Sequence, residues 1–242
     1  MEDYLYEEMY RLEQHHWWFS AKHRIVLTLL DRYLRHKPRG RVADIGCGCG
    51  HMLQMLSERY DAVGVDASPL AADFARQRGV KVVQGSLPEN VGLPAGEFDA
   101  AIMLDVMEHL DDDVASARSV AALLKPDGIM LVTVPAYQWL FGAHDTAHHH
   151  RRRYNRAGLT QVLSAAGLKV RYISYYNTIL FPLAVGQRMI SRSGAGSKQV
   201  TTAPPPAPVN ALFRSIFAME RHALGRVTLP FGLSLIAVAT RE

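Results

Sequence analysis

The chain reads as a doubly wound α/β domain, a mostly parallel sheet with helices on both faces. Three features predict it. From Ser20 onward, short apolar runs of strand length alternate with segments of helical periodicity. A glycine-rich turn, "GCGCG" at Gly46 to Gly50, joins the first strand to the helix after it. The last apolar run, "LSLIAVATRE", follows the sixth with no crossover helix, so it pairs most simply antiparallel, as a long hairpin. Near-continuous apolar runs mark strands buried on both faces, and right-handed crossovers then place helices on each side.

The elements follow in order. Ile25, Val26, Leu29, Leu30, Tyr33 and Leu34 recur at helical spacing after Ser20, the expected N-cap. "RVADIG" is the first strand and "HMLQMLSERY" the helix beyond the glycine turn. "AVGVDA" is the second strand. Ser68 caps the next helix, Pro69 takes its first position and Gly79 ends it. "VKVVQG" and "FDAAIMLDV" are strands three and four. Asp111 or Asp112 caps a helix running to Leu124, and "GIMLVTVP" is the fifth strand. Asn155 caps a helix that ends at Gly167, "LKVRYISYY" is the sixth strand, and the terminal run makes seven. Between the sixth and seventh lies an insertion, Asn177 to Gly232. It holds a linker, "SGAGSKQVTTAPPPAP", and a helix striped by Leu212, Phe213, Ile216, Phe217 and Leu224. That stripe must cover its own domain, a second subunit or a membrane surface.

Length and composition fit one globular domain: 242 residues, 48% hydrophobic, 21% charged. A formal charge of +4 is too small to indicate nucleic acid, and the dense basic run is confined to "HHHRRRYNR". The acidic start, "MEDYLYEEMYRLEQ", lacks signal-peptide character, and Thr178 to Ile190 is broken by Pro182 and Arg188. A cytoplasmic monomer or homodimer is expected, with peripheral membrane contact open. With only Cys47 and Cys49, no disulfide framework exists. Lacking further Cys or a matching His pair, they make a poor metal site and act as small residues between glycines.

At such a strand-to-helix turn, glycine permits positive φ and close approach, and the helix start offers free N–H groups. The spacing is G-x-G-x-G at Gly46, Gly48 and Gly50, which disfavours a nicotinamide oxidoreductase. Asp66 ends the second strand, where a carboxylate can accept from both hydroxyls of a ribose.

These residues, with "VGVDASP", "QGSLPENVGLPAGEFDAAIMLDVMEHL", "LLKPDGIMLVTVP" and "GLSLIAVATR", resemble the class I S-adenosylmethionine-dependent methyltransferases. The resemblance is close from Arg41 to Val134 and looser beyond. It implies a Rossmann-like seven-stranded sheet with the last strand antiparallel, and one domain over 1–242. Within it lie an N-terminal helical lid (1–36), a cofactor core (41–176), the insertion (177–232) and the terminal strand (233–242). It implies S-adenosylmethionine as cofactor, with Asp44, Gly46, Cys47, Gly48 and Gly50 facing its methionine part and sulfonium. Asp66 and Ala67 would meet the ribose, and Ser86 and Leu87 the adenine. Family members often carry aspartate where this chain has Ser86. Leu104, Asp105, Val106 and His109 would line the cofactor's edge, although Glu108 and His109 could equally orient the following helix.

The acceptor side belongs beyond strands four and five, where "PAYQWLFGAHDTAHHHRRRYNR" leaves the sheet. His144, Asp145, His150 and Tyr154 are the catalytic candidates, with His144 a general base oriented by a carboxylate. Tyr137, Arg152 and Arg153 are candidates for holding the acceptor, the arginines on a phosphate or carboxylate; they could instead pair with acidic neighbours. Trp17 and Trp18 are further acceptor contacts in the lid. No metal ligand is assigned, and the i,i+4 spacing of His144 and His148 leaves a metal in the His-rich segment open. The expected reaction is in-line methyl transfer to a small-molecule acceptor, anionic or lipid-linked. No Asn/Asp-Pro-Pro-Tyr-type motif points to nucleic acid. A noncatalytic S-adenosylmethionine-binding or scaffold protein is the alternative, because cofactor motifs report binding more directly than transfer.

Overall fold

The computed structural model describes residues 3–192 and 204–241. Most of the linker at Ser193 to Pro208 therefore lies outside the described residues. Seven strands form one sheet: β1 (Arg41–Ile45), β2 (Asp61–Asp66), β3 (Val82–Gln84), β4 (Phe98–Leu104), β5 (Leu124–Pro135), β6 (Leu168–Tyr176) and β7 (Ser234–Arg241). Their spatial order is β3-β2-β1-β4-β5-β7-β6. β1 to β5 pair parallel, while β7 runs antiparallel between β5 and β6. The terminal strand thus runs antiparallel, as expected, and inserts between β5 and β6 after a connection that carries the helices Phe181–Arg192 and Ala207–Met219.

Nine helices accompany the sheet among the described residues: α1 (Asp3–Leu12), α2 (Trp17–Tyr33), α3 (His51–Ser57), α4 (Pro69–Gln77), α5 (Asp113–Leu123), α6 (Ala143–Ala147), α7 (Arg156–Ala165), α8 (Phe181–Arg192) and α9 (Ala207–Met219). Two apolar cores form, one on each face of the sheet. Val120 of α5 and Leu163 of α7 join one; Ile25 of α2, Leu53 of α3 and Phe217 of α9 join the other. Local chemistry sets several helix starts. Ser68 accepts from the Ala71 N–H at 3.3 Å, Asp112 from Ala115 at 2.8 Å and Asn155 from Gly158 at 2.7 Å.

Several boundaries differ from the sequence reading: α3 ends at Ser57 rather than Tyr60, β5 starts at Leu124 rather than Gly128, and three others have a visible cause. α2 starts at Trp17, not after Ser20: His16 accepts from the Trp18 N–H at 3.2 Å, while the Ser20 hydroxyl donates to the Gln14 carbonyl. Long-range contacts hold that earlier start. The Trp17 N–H donates to Asn210 Oδ1 at 2.9 Å, and the Trp17 ring meets Phe213 and Phe217 edge-on at 5.6 and 6.0 Å. α9 ends at Met219, so Leu224 lies beyond it in a turn. Helix α5 stops at Leu123, one residue early, because Leu124 already pairs with Phe98 in the sheet.

The helix of the insertion therefore covers its own domain through Phe213 and Phe217, while Leu212 and Met219 remain exposed. α1 is fastened over the glycine turn by Arg78. Its guanidinium donates to the Tyr10 and Cys49 carbonyls, bonds Glu13 at 2.7 Å and stacks over the Tyr10 ring. No helix among the described residues is long and apolar enough to cross a membrane.

Candidate active site

The turn after β1 bends sharply. Gly46, Gly48 and Gly50 have φ of +73°, +54° and +84°. A Cβ on Gly46 would stand 2.4 Å from Val106, and one on Gly50 2.7 Å from Ala75, so both positions require glycine for conformation and for space. The Gly46 and Cys47 N–H groups donate to the Val65 carbonyl. Asp66 accepts from the Gly48 N–H at 2.8 Å and from the Ser68 N–H at 2.9 Å, tying the end of β2 to the turn. Burial raises the Asp66 pKa against these bonds. Asp44 is buried and its Oδ2 has no hydrogen-bond partner among the described residues. Burial pushes its pKa up to about 7 despite the nearby Lys22 charge.

Cys47 and Cys49 are both free and buried, and burial raises both thiols. Cys49 Sγ lies 3.2 Å from the Tyr6 carbonyl. They are packing residues of the turn.

A cavity of about 790 Å³ lies over this end of the sheet, under α1 and α2. Its lining includes Asp44, Gly46, Cys47, Gly48, Asp66 and Ala67. Ser86 and Leu87 form one end; Leu104, Asp105, Val106 and His109 form the floor. Trp17 and Trp18 roof it, and His144, His150 and Arg153 close the far side. Gly50, Tyr137, Asp145, Arg152 and Tyr154 stand outside its lining. Gly50 is the N-cap of α3. Tyr137 stacks on Tyr175 at 5.1 Å.

Tyr154 donates its hydroxyl to Asp113 at 2.7 Å, and Arg152 bonds the same carboxylate at 3.0 Å while donating to the Leu110 and Asp111 carbonyls. Both line a separate recess of about 420 Å³ beside α5 and α7. Their chemistry is therefore structural cross-linking of the His-rich segment to the start of α5. Arg153 is also committed: its Nε donates to Asp145 at 2.7 Å and its Nη1 to the Ala136 carbonyl. Of the two readings of these arginines, pairing with acidic neighbours describes both.

Asp145 is fully buried and gathers three partners, His150 Nδ1 at 2.9 Å, Arg153 and the Gly142 N–H. Burial opposes its charge, but these bonds win and hold its carboxyl well below the usual range. The imidazole oriented by a carboxylate is thus His150, not His144. His144 opens on the cavity, where crowding by protein atoms and by His148 lowers its pKa to about 3, so its ring is neutral. His109, lowered to about 4 by burial and by His150, is neutral too.

The sequence reading missed Lys22. Its ammonium lies 2.5 Å from Asp105 Oδ2 and 4.6 Å from the Trp18 ring centroid, and the residue lines the cavity. Asp105 has φ +57° and also accepts from the Thr133 hydroxyl at 3.0 Å. A signal existed: Lys22, Ile25, Val26 and Leu29 share one helical face, so a lysine occupies a position the apolar stripe assigns to the interior. Asn177, with φ +57° and a buried amide lacking partners among the described residues, also lines the cavity. No sequence signal singled it out.

A methyltransferase-domain family model matches residues 12–173, more than half of the chain. A protein of Mycolicibacterium smegmatis named as a probable S-adenosylmethionine-dependent methyltransferase is 30% identical over 165 residues, 66% of this chain and 62% of that one. A ubiquinone biosynthesis O-methyltransferase of Haemophilus ducreyi is 26% identical over 149 residues, 52% of this chain and 63% of its own length. The chain spans about three fifths of the length of such curated relatives. A geranyl diphosphate methyltransferase solved with its cofactor shares the fold: TM-score 0.62, 15% identity, covering 93% of this chain and 86% of that one. With the sheet order, the glycine turn and Asp66 in place, these matches establish that the chain belongs to the class I S-adenosylmethionine-dependent methyltransferase family.

Proposed function

We propose that this chain transfers the methyl group of S-adenosylmethionine to an oxygen of a small-molecule acceptor with an apolar, lipid-like body. One observation carries the reading: a single cavity joins the Asp44, Gly48 and Asp66 wall to the Lys22, His109 and His144 end. Both reactants can then share one enclosure, whose volume falls in the roughly 300–1,000 Å³ range of ligand sites.

The residues present fit the cofactor. Asp44 offers an orphaned buried oxygen to an ammonium group, and each Asp66 oxygen keeps a lone pair for a ribose hydroxyl. Ser86 and Leu87 line the cavity and would flank the adenine. When bound, the cofactor supplies an already activated sulfonium methyl, so the protein has mainly to align the acceptor and exclude water. Trp18 and the Lys22–Asp105 pair form the roof under which an acceptor oxygen would sit. His144, whose ring is neutral and only weakly basic, relays the acceptor's hydroxyl proton to water as the new C–O bond forms and the C–S bond breaks. The products are the methyl ether and S-adenosylhomocysteine, and the His144 proton passes to water.

Of the anionic and lipid-linked acceptors, the lipid-linked one is favoured. Trp17, Leu180, Leu183 and Phe213 supply apolar wall, whereas Arg152 and Arg153 are occupied by carboxylates of this chain. Similarity to a ubiquinone biosynthesis O-methyltransferase supports oxygen as the acceptor atom. The test is calorimetric titration with S-adenosylhomocysteine, then transfer of labelled methyl from S-adenosylmethionine to a panel of prenylated phenols and catechols. Product labelling is expected. A folded chain that ignores S-adenosylhomocysteine would sink the reading, and binding without transfer to any panel member would favour the noncatalytic alternative.

A further inference from the structure

Glu108 is an anomaly of this site. It sits in the short turn Met107–His109 after β4, is 0% exposed, and neither carboxylate oxygen has a hydrogen-bond partner among the described residues. Burial raises the pKa of a carboxyl so placed well above the usual range, and holding it as the carboxylate takes a cation beside it. Lys22 and Arg153 are nearby, but each is already neutralised, Lys22 by Asp105 and Arg153 by Asp145. Within this cluster Glu108 is the carboxylate left over.

Two imidazoles stand beside it. One ligand atom each from Glu108, His109 and His150 lie within 4.8 Å of one another, and all three residues line the cavity. The His109 and His150 rings meet edge-on with centroids 4.7 Å apart. Ligands at about 2.0–2.1 Å around one tetrahedral ion are roughly 3.4 Å apart, so coordination requires only a modest inward turn of the side chains. His150 is already arranged as metal-binding histidines are. Its Nδ1 is engaged by Asp145 at 2.9 Å, and Asp145 is anchored by Arg153, which leaves Nε2 as the open nitrogen. The neighbouring His144 and His148 rings are 4.4 Å apart; Asp145 is spent on His150 and Arg153, and the other carboxylate acting on His148 is Glu8 of α1.

We infer that Glu108, His109 and His150 bind one divalent first-row transition cation, with its remaining coordination positions turned toward the cavity. Two imidazoles and one carboxylate suit an ion of the zinc, manganese or ferrous type rather than magnesium or calcium. Cation binding stands on the geometry alone. Only its use rests on the methyl-transfer reading: the ion would hold the acceptor oxygen and favour its deprotonated form.

The experiment uses the untagged full chain, stripped with a chelator and titrated with Co²⁺ by visible absorption and with Zn²⁺ by competition. One equivalent of cation is expected. Glu108→Gln and His150→Asn should each weaken it at least tenfold, and the double variant His144→Ala/His148→Ala should stay within about threefold of the parent. S-adenosylhomocysteine titrations of the same samples, with circular dichroism, show whether each variant is folded and test the methyltransferase reading separately. No stoichiometric uptake by the folded parent chain overturns the site. So does full cation affinity in both ligand variants, or its loss only in the His144/His148 double variant.

Discussion

Lys22 of α2 and Asp105 at the end of β4 meet in an ion pair at 2.5 Å, linking residues 83 positions apart. Lys22 has 5% of its side chain exposed and Asp105 20%, so the pair is shielded from water and fastens the helical roof to the sheet. Removing one partner strands the other. Lys22→Met should destabilise the chain by about 3 kcal/mol, the lower end of the cost of breaking a buried pair. Asparagine tolerates the positive φ of position 105, so Lys22→Met/Asp105→Asn should recover much of the loss. Urea denaturation of the parent, both single variants and the double variant measures the coupling. A Lys22→Met cost below about 1 kcal/mol would show that the pair contributes little beyond a solvated one.

Asp44 makes the site sensitive to pH. Its folded pKa, about 7, lies above the ordinary 3.8 because burial penalises the charge. The stability of the ligand-free chain should therefore fall as pH rises from about 4 through 7, as the buried group is forced to ionise. Ligand affinity should move the other way, since the ionised form is the one that holds an ammonium group. S-adenosylhomocysteine should bind about tenfold more weakly at pH 6 than at pH 8, following the ionised fraction. Calorimetry at the two pH values, repeated on Asp44→Asn, checks this; an unchanged ratio in the variant would remove Asp44 as the cause.

Two glycines separate crowding from backbone strain. Gly50 and Gly79 have similar φ, +84° and +77°, but a Cβ meets Ala75 at 2.7 Å on Gly50 and nothing within 4 Å on Gly79. Gly79→Ala should cost about 1 kcal/mol from conformation alone. Gly50→Ala adds overpacking against α4 and should cost about 3 kcal/mol. Equal midpoints for the two variants in thermal unfolding would contradict the crowding account.

His144 tests the acceptor side. His144→Ala should lower methyl transfer by about a hundredfold if it removes the acceptor's proton. Its affinity for S-adenosylhomocysteine should stay within about twofold, because the ring packs on His148 and His150 rather than on the glycine turn or Asp66. A matching loss of cofactor affinity would mean that His144 supports the pocket instead. The two constants, from labelled-methyl transfer and calorimetry, distinguish the cases.

What could be read from the order of residues is what depends on neighbours in the chain. Ser68, Asp112 and Asn155 cap their helices through bonds to N–H groups three residues ahead, and the glycine turn owes its shape to φ values that other residues avoid. The antiparallel β7 was legible as a terminal apolar run and from the family resemblance, although the chain passes through α8 and α9 before it returns between β5 and β6.

Folding alone decided the pairings that cross between elements. Trp17 begins its helix early because Asn210, 193 residues away, accepts its N–H. Arg152 and Arg153 look alike in sequence, yet the first bonds Asp113 away from the cavity, while the second lines the cavity and bonds Asp145 behind it. His144 and His150 flank the same aspartate, and only the path of the loop gives that carboxylate to His150. Charged side chains in a low-dielectric interior are satisfied by whichever opposite charge packing brings near, and that distance in space is not encoded in distance along the chain.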